Sequence, residues 1–445
     1  MSQWRFVLLI ALLVSGVEGQ RIVAPTPPMG WNSWDSYGLT VTEQEFLANA
    51  DVLAKDLKKF GWQYAVVDEG WYLKNPQAKA ADLVFNLDKY GRFIPVGNRF
   101  PSASAGSFRA LAAKVHGMGL KFGIHMIRGI PREAVNKKLR IAGNNFKASD
   151  AADSSDTCPW NADNYGVKNN AAGQAYYDSV AKLYAGWGVD YVKIDCISSH
   201  PYKGDEIRMF SMALKKTGRP IVLSLSPGPT PVAKAQEVGK WADMWRISDD
   251  VWDLWKSNSE KQFPQDVTRQ FQQAALWADH SGAGHWPDAD MLPIGHLGPR
   301  PGHEKERDSG LTHDEEKSLM TLWCVFRSPL IIGGNLTQLD EYTRGLLTNS
   351  EVLAVDQHGS KERQALAGQN AVVWVSSAAD NAHYVAVFNL GEETRELAWG
   401  WQEIGLAEGS YKLRDLWLHQ DMDAADKLQV QVPRHGAVLL RVEAK

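Results

Sequence analysis

The chain has 445 residues, which is too long for one small domain and fits a large barrel followed by something smaller. Hydrophobic residues make up 44% of it and charged residues 22%, close to the averages of globular proteins, so a disordered or fibrous chain is disfavoured. Lysine and arginine number 48 against 52 aspartate and glutamate residues, and the formal charge of -4 gives no electrostatic reason to expect nucleic acid or an anionic membrane as a partner.

The N-terminal segment has the pattern of a secretory signal peptide. Arg5 precedes an uninterrupted apolar run, Phe6–Val14, and small and polar residues continue through Gly19 and Gln20. The run is too short to span a bilayer, so a cleaved signal is favoured over an uncleaved anchor. We therefore predict a signal peptide at residues 1–19 and a secreted or periplasmic mature protein with no membrane contact after cleavage.

Eight short apolar runs follow, and segments with helical periodicity separate them. Near-continuous runs of this kind are typical of parallel strands buried on both faces. The predicted strands are Met29–Trp31, Gln63–Asp68, Leu120–Met126, Val189–Asp195, Pro220–Ser226, Met244–Ile247, His285–Trp286 and Pro329–Ile332. The predicted helices are Glu43–Phe60, Ser107–His116, Gln174–Trp187 and His313–Phe326. Eight such units favour a closed (β/α)8 TIM barrel over an open sheet, and we assign it to residues 20–355.

The pattern changes after about Val355. Short alternating strands, separated by Gly, Asn and Asp turns, are predicted at Ala371–Ser376, His383–Leu390, Tyr411–Leu416 and Leu428–Val432. This spacing predicts a small C-terminal antiparallel β domain over residues 356–445, folded as a sandwich or a meander.

Carboxylates stand at the ends of three predicted strands. Asp68 and Glu69 end the second strand, Asp195 ends the fourth, and Asp249 and Asp250 follow the sixth. The carboxyl ends of barrel strands form the active site, so these side chains are expected to meet there. Two facing carboxylates are the minimum for glycoside hydrolysis, in which one attacks the anomeric carbon and the other protonates the leaving oxygen. The pattern alone leaves enolase-type and metal-assisted chemistry open.

Two cations accompany the acidic residues. Lys193 lies two residues before Asp195 on the same strand, so both side chains face the barrel interior, and a nearby ammonium would favour an ionised nucleophile. Arg246 lies four residues before Asp250 and is placed to hold a sugar hydroxyl. A structural ion pair is the alternative for both cations. Because buried charge is costly unless it is paired, pairing and function are compatible.

Six motifs point to a known family. They are Pro28–Trp34 (PMGWNSW), Asp68–Trp71 (DEGW), Val192–Asp195 (VKID), Trp245–Asp250 (WRISDD), Trp286–Met291 (WPDADM) and Leu322–Trp323 leading to Ser328–Leu330. In these motifs and in their order the chain closely resembles the family 27 glycoside hydrolases, the α-galactosidase and α-N-acetylgalactosaminidase family. The resemblance runs from about Pro27 to Gln357, with a matching C-terminal β domain.

The resemblance implies a retaining exo-glycosidase that removes terminal α-D-galactosyl residues through a covalent glycosyl-aspartate. It also implies that no metal or cofactor is needed. Asp195 holds the nucleophile position and Asp250 the acid/base position, with Asp249 as the rival for the second role. The implied partner is the non-reducing end of an oligosaccharide or glycan, and a homo-oligomer is left open.

The same resemblance implies the sugar contacts. Trp34 forms the aromatic wall, Asp68 binds ring hydroxyls, and Lys193 and Arg246 hold the sugar near the nucleophile. Three positions depart from the galactosidase pattern. Glu69 stands where galactosidases usually have Asp, and His125 stands where they often have Tyr. Ser226 falls near the position of a Glu that binds the 2-hydroxyl in galactosidases, and small residues there resemble the N-acetylgalactosaminidase branch. Glu69 is longer by one methylene and reaches toward the 6-hydroxymethyl group, which β-L-arabinopyranose lacks. A β-L-arabinopyranosidase and an α-N-acetylgalactosaminidase are therefore the alternatives.

Two further groups of residues need an interpretation. Cys158 and Cys196 match a disulfide that many relatives have near this site, but Cys196 stands one residue earlier than in relatives, so the pairing is left open. A second group, His280, His285, Asp288 and Asp290, could suggest a metal-dependent hydrolase instead. Its spacing is not a recognised zinc pattern, and we interpret the two aspartates as part of the family motif.

Overall fold

The computed structural model describes residues 22–259 and 263–445. The expected signal peptide at residues 1–19 lies outside the described residues, and its cleavage stays a prediction. Within the two described ranges, no helix combines the length and the apolar character that crossing a membrane requires.

Eight parallel strands form the barrel: β1 Met29–Asn32, β2 Tyr64–Val67, β3 Lys121–Ile127, β4 Tyr191–Asp195, β5 Val222–Leu225, β6 Met244–Arg246, β7 Trp286–Asp288 and β8 Leu330–Ile332. From β1 to β7 each strand pairs with the next, and β1 also pairs with β8, so that Gly30 lies opposite both Tyr64 and Ile331. A parallel bridge from Leu292, just after β7, to Ile332 continues the ring. The predicted barrel fold and its eight strands are confirmed.

Helices surround the strands. The longer ones are α1 Glu43–Val52, α2 Arg109–Gly117, α3 Ala171–Trp187, α4 Gly204–Lys216, α5 Ala235–Trp241, α6 Val267–Trp277, α7 His313–Phe326, α8 Glu341–Thr348 and α9 Ser350–His358, and the shorter ones are Trp34–Tyr37, Arg132–Asn136 and Ala148–Ala151. The predicted helix Glu43–Phe60 is α-helical only to Val52. A wider turn at Leu53–Leu57 and a tight turn at Lys58–Phe60 complete it, and Gly61, with φ 105°, ends it.

A small sheet inserted between β3 and α3 stands beside the mouth of the barrel. It consists of Ile130–Pro131, Asn164–Val167 and Ala152–Thr157, in that spatial order. The loop between its last two strands begins with Cys158, which forms a disulfide with Cys196, the residue directly after β4. The disulfide therefore ties this loop to the carboxyl end of β4.

The C-terminal domain is antiparallel. Its strands are β9 Ser360–Ala367, β10 Ala371–Ser377, β11 His383–Asn389, β12 Arg395–Gly400, β13 Tyr411–Asp415, β14 Gln420–Ala425, β15 Lys427–Val432 and β16 Ala437–Ala444. Six of them form a sheet in the order β9-β10-β11-β16-β13-β14, and β12 pairs with β15. The predicted C-terminal β domain is confirmed. Its start at residue 356 stays a prediction, since α9 runs across that position.

Both faces of the larger C-terminal sheet are buried. Val373 and Val375 belong to a core shared with the β12–β15 pair. The opposite face packs on the barrel, where the Trp374 ring lies 5.9 Å from that of Phe326 on α7. Because side chains alternate between the two faces of a strand, β10 divides its apolar residues between two cores. The domain therefore rests on the helical side of the barrel.

Candidate active site

The parallel barrel brings the acidic strand ends together. Asp68 directly follows β2, Asp195 is the last residue of β4, and Asp250 follows β6 by four residues. His125 of β3 lies among them, and its pKa responds to all three carboxylates. Burial lowers the pKa of His125, while the charges of Asp68, Asp195 and Asp250 act in the opposite direction. The residues that the sequence analysis selected on separate strands therefore share one electrostatic environment.

Both carboxylate oxygens of Asp195 accept a hydrogen bond. The hydroxyl of Ser226, a buried residue just after β5, donates to Oδ1 at 2.9 Å. The indole N–H of Trp160 donates to Oδ2 at 3.2 Å. Two donors from two different elements fix the plane in which this carboxylate faces the mouth.

Asp68 is buried and heavily bonded. Its Oδ2 accepts from the amide of Asn32 at 2.6 Å and from the Lys193 ammonium at 3.0 Å. Burial acts to raise the pKa of Asp68, but the charges of Lys193 and His125 and the hydrogen bonds outweigh it and hold that pKa well below its usual range. The ammonium that the sequence analysis assigned to Asp195 therefore bonds Asp68, because the long Lys193 side chain crosses the barrel interior from β4 to the end of β2.

Arg246 connects the acidic residues on the other side of the mouth. One guanidinium nitrogen lies 2.7 Å from Oδ1 of Asp290, and the other donates to Oδ1 of Asp250 at 3.2 Å. The Asp250 side chain is 41% exposed. The side chain of Asp249 is 13% exposed, and its Oδ1 lies 3.0 Å from Nε2 of His200. Of the two neighbours, Asp250 is the one open to the mouth.

Glu69 is held by the neighbouring loop. The amide of Asn161 donates to its Oε1 at 2.8 Å. Burial raises the pKa of Glu69 well above its usual range, and the charges of Asp195 and Asp68 add to the effect. The Glu69 carboxyl therefore lies near the carboxylates of Asp195 and Asp68, and the loop that carries Asn161 holds it there.

Trp34 lies at the rim in the short helix after β1. Gly302 packs against its ring so closely that a Cβ at this glycine would lie 2.3 Å from the indole. The next residue, Asp35, is buried beneath the mouth. Burial raises the pKa of Asp35, and the charge of Asp290 raises it further. Asp35 was missed by the sequence analysis, because a lone acidic residue after an aromatic carries no spacing signal.

The disulfide-bound loop supplies two more residues that the sequence analysis missed, Trp160 and Asn161. They contact Asp195 and Glu69 respectively, and Trp160 is 48% exposed. Their signal was the Thr-Cys-Pro-Trp sequence that begins the loop. The pairing of Cys158 with Cys196, which the sequence left open, is present. Cys196 adopts φ 63°, a left-handed conformation that turns the chain directly after Asp195.

The four residues considered as metal ligands do not form one cluster. Asp288 and Asp290 lie in the mouth, where Asp290 bonds Arg246 and the amide of Val251. His285 instead belongs to a backbone bridge with Gly282, before β7. In the part of the chain that the structure describes, no three His, Cys, Asp or Glu side chains are grouped so as to hold a metal ion.

A small, mostly polar cavity lies inside the barrel, below the carboxyl ends of the strands. It is lined by Asn32, Lys193, Ser226, Arg246, Asp290 and Met291, among others. Donors and acceptors converge here from β1, β4, β5, β6 and the segment after β7. With a volume of about 10 Å³, the cavity is large enough for a water molecule and too small for a sugar ring.

Comparison with known proteins gives this geometry a context. A family model described as Alpha galactosidase A matches residues 163–358, and one described as Alpha galactosidase C-terminal beta sandwich domain matches residues 368–442. The α-galactosidase of Coffea arabica is 30% identical over 401 residues, which cover 88% of this chain and 87% of that protein.

Solved structures give a higher identity. A GH27 β-L-arabinopyranosidase from Geobacillus stearothermophilus is 44% identical, with a TM-score of 0.89, and the match covers 95% of this chain and 97% of that one. A Bacillus halodurans protein, provisionally described as an α-N-acetylgalactosaminidase, is 38% identical with a TM-score of 0.84, covering 96% and 99%. The likeness extends over both domains.

Proposed function

Because the chain belongs to glycoside hydrolase family 27, we propose that this glycoside hydrolase is a retaining exo-glycosidase with Asp195 as nucleophile and Asp250 as acid/base. The observation that carries these roles is the contrast between the two carboxylates. Asp195 is oriented through both oxygens, as in-line attack requires, whereas Asp250 is open to the mouth, as proton exchange with water requires.

The reaction takes two steps. Asp195 attacks the anomeric carbon while the glycosidic bond breaks, and Asp250 gives its proton to the leaving oxygen. Asp250 then removes a proton from water, and the water oxygen displaces Asp195 from the anomeric carbon. Ser226 and Trp160 orient the nucleophile, and Arg246 orients the acid/base. The product keeps the configuration of the substrate.

For the sugar, β-L-arabinopyranose fits the proposed site best. This sugar has the ring configuration of α-D-galactose without the exocyclic hydroxymethyl group. The Glu69 carboxyl is held by Asn161, and we infer that its extra methylene takes up the space of that hydroxymethyl group. The 44% identity to the Geobacillus β-L-arabinopyranosidase supports the same preference. We place α-D-galactosides second, supported by the matched family models and by the Coffea arabica α-galactosidase.

A panel of nitrophenyl glycosides tests this proposal. We expect kcat/KM to be highest for the β-L-arabinopyranoside, followed by the α-D-galactoside, with the α-N-acetyl-D-galactosaminide lowest because the Ser226 hydroxyl is engaged by Asp195. Proton NMR of the first product should show retained configuration. Inverted product would contradict the mechanism, and a higher kcat/KM for the galactoside would contradict the sugar assignment alone.

We also propose that the protein is exported, on the evidence of the charged, apolar and small-residue pattern in residues 1–19. N-terminal sequencing of the protein from the periplasm or the culture medium should give a start near Gln20. An uncleaved N-terminus, found in the membrane fraction, would contradict the proposal.

A further inference from the structure

The C-terminal domain touches the segment that follows Asp250. His435 lies in the turn between β15 and β16, and its ring stacks on that of Trp255 with centroids 4.8 Å apart and planes 23° apart. Trp255 stands five residues after Asp250 and is buried. A side chain of the second domain thus packs against the loop that carries the proposed acid/base.

His435 is itself firmly held by the barrel. Its Nδ1 lies 2.6 Å from Oε1 of Glu315, in the first turn of α7, and its carbonyl oxygen accepts from the hydroxyl of Ser318 at 2.6 Å. Its Nε2 lies 3.3 Å from Oε1 of Glu392. Since a carboxylate only accepts, Nδ1, at the shorter distance, is the nitrogen that donates to Glu315. The imidazole is therefore fixed in plane and in position.

The loop from Asp250 to Trp255 is anchored at both ends. At its start, the amide of Gln265 donates to the Asp250 carbonyl at 2.8 Å, and the amide of Val251 donates to Asp290 at 2.7 Å. At its end, the Trp255 carbonyl accepts from the amide of Thr268 at 3.0 Å, and the Trp255 ring meets His435. The stack of Trp255 on His435 is therefore the anchor through which the second domain holds the end of the loop that follows Asp250.

We propose that His435 is a positioning residue for Asp250, acting through its stack on Trp255. The C-terminal domain then takes part in the reaction at a distance, by holding the acid/base where it can protonate the leaving oxygen. The backbone of His435 has a φ of 53°, a conformation that non-glycine residues seldom adopt. Such a conformation persists where the surrounding contacts hold the residue in place. This inference rests on the proposed role of Asp250.

Leaving-group dependence tests the inference. A 2,4-dinitrophenyl glycoside needs little help from an acid, whereas a methyl glycoside of the same sugar depends on it. His435→Asn keeps a donor for Glu315 and tolerates the left-handed conformation, but it removes the ring from Trp255. We expect the dinitrophenyl-to-methyl ratio of kcat/KM to rise about three- to tenfold, less than the roughly 10²–10⁴-fold worth of a general acid. The ratio does not depend on how much of the enzyme is folded.

Two further variants complete the test. Trp255→Leu should raise the ratio by a similar factor, and the double variant should raise it no further, because residues in contact are not independent. His419→Gln is the matched control. His419 is another histidine of the C-terminal domain, and its Nδ1 lies 2.7 Å from Oε1 of Glu351 on α9. Its bond to the barrel is made to α9 and not to the Asp250 loop, so its loss should leave the ratio unchanged.

The outcomes separate the two proposals. If Asp250→Ala fails to raise the ratio, the role of Asp250 is wrong. If Asp250→Ala raises it while His435→Asn and Trp255→Leu do not, the inference about His435 is wrong and the proposed function stands. A rise with His419→Gln equal to that with His435→Asn would also overturn the inference, because the effect would then belong to general contact between the domains.

Discussion

The two carboxylates at the barrel mouth are held in different ways. Asp195 is part of a strand, both its oxygens are bonded, and the disulfide from Cys196 ties the neighbouring loop in place. Asp250 lies in a loop four residues beyond the end of its strand, with its side chain 41% exposed. Its position depends on backbone anchors and on a stack with the second domain.

The difference matches the demands of the two roles that we propose for these residues. A nucleophile must present one oxygen at a defined distance and angle, so misplacement is costly and a rigid strand end suits it. An acid/base must exchange protons with water in every cycle and tolerate changes of charge, so it must remain accessible. The side of the mouth that carries the proposed nucleophile is therefore held in a fixed geometry, and the side that carries the proposed acid/base is left accessible.

Removing the carboxylates should give the largest effects and separate the two sides. Asp195→Ala should abolish turnover of every glycoside, since no other group can form the covalent intermediate. Asp250→Ala should lower kcat/KM about 10²–10⁴-fold for methyl glycosides but much less for dinitrophenyl glycosides. Asp249→Ala is the neighbouring control and should change kcat/KM little. Steady-state kinetics on both substrates check this, and equal losses for Asp249→Ala and Asp250→Ala would remove the distinction.

A smaller effect is expected from Glu69→Asp on the nucleophile side. One methylene of misfit is worth roughly 1–3 kcal/mol, or about 10–200-fold. The shorter side chain should therefore raise the α-galactoside to β-L-arabinopyranoside ratio of kcat/KM by that order. Asn161→Ala should move the ratio in the same direction, because it releases the Glu69 carboxyl. An unchanged ratio in both variants would show that Glu69 does not set the sugar preference.

Replacing Trp160 should change kcat/KM less than replacing Glu69, through contact with the leaving group. Its ring is 48% exposed and lies 6.1 Å from the ring of His200, the partner of Asp249, so it borders the acid/base side of the mouth, from which an aglycone would leave. An aromatic contact is worth about 0.5–1.5 kcal/mol, so Trp160→Ala should lower kcat/KM for a disaccharide substrate about 2–12-fold more than for a methyl glycoside. Trp160→Phe keeps the ring and should retain the difference. Equal losses on both substrates in Trp160→Ala would argue against an aglycone contact.

The smallest effect on activity is expected at the opposite end of the barrel. Asp243, just before β6, is half-buried and accepts from the amide of Leu223 at 2.8 Å, and its partial burial raises its pKa to about 6. The folded state then binds this proton more tightly than the unfolded chain, whose pKa is about 3.9. The contribution of Asp243 to stability is therefore complete below about pH 4 and is lost as the pH rises through about 6.

Asp243→Asn should remove this loss of stability at high pH, because an amide does not ionise. The variant should gain about 2–3 kcal/mol over the wild type at pH 8 and nothing at pH 4, with kcat/KM unchanged. Melting temperatures measured from pH 4 to pH 8 check this, with the exposed Asp279→Asn as control. A pH-independent difference would mean that Asp243 is not the group that titrates.

Much of the fold followed from local sequence. Nearly every side chain of the barrel strands is buried, so each strand appears in the sequence as a short apolar run. The acidic residues that follow these runs could therefore be located within a residue or two. Strands such as β14 (Gln420–Ala425) were missed, because most of its residues are exposed and polar and carry no apolar alternation. Helix α4 (Gly204–Lys216) was missed although its apolar residues face the core.

By itself, the sequence determined the barrel, the order of the acidic strand ends and the family they belong to, because these depend on short motifs and on the direction of parallel strands. Only the tertiary structure decided which groups meet: Lys193 with Asp68, 125 residues apart, and His435 with Glu315, 120 residues apart. A side chain several bonds long can reach any of several partners, and the choice is made by how distant segments pack rather than by their spacing in the chain.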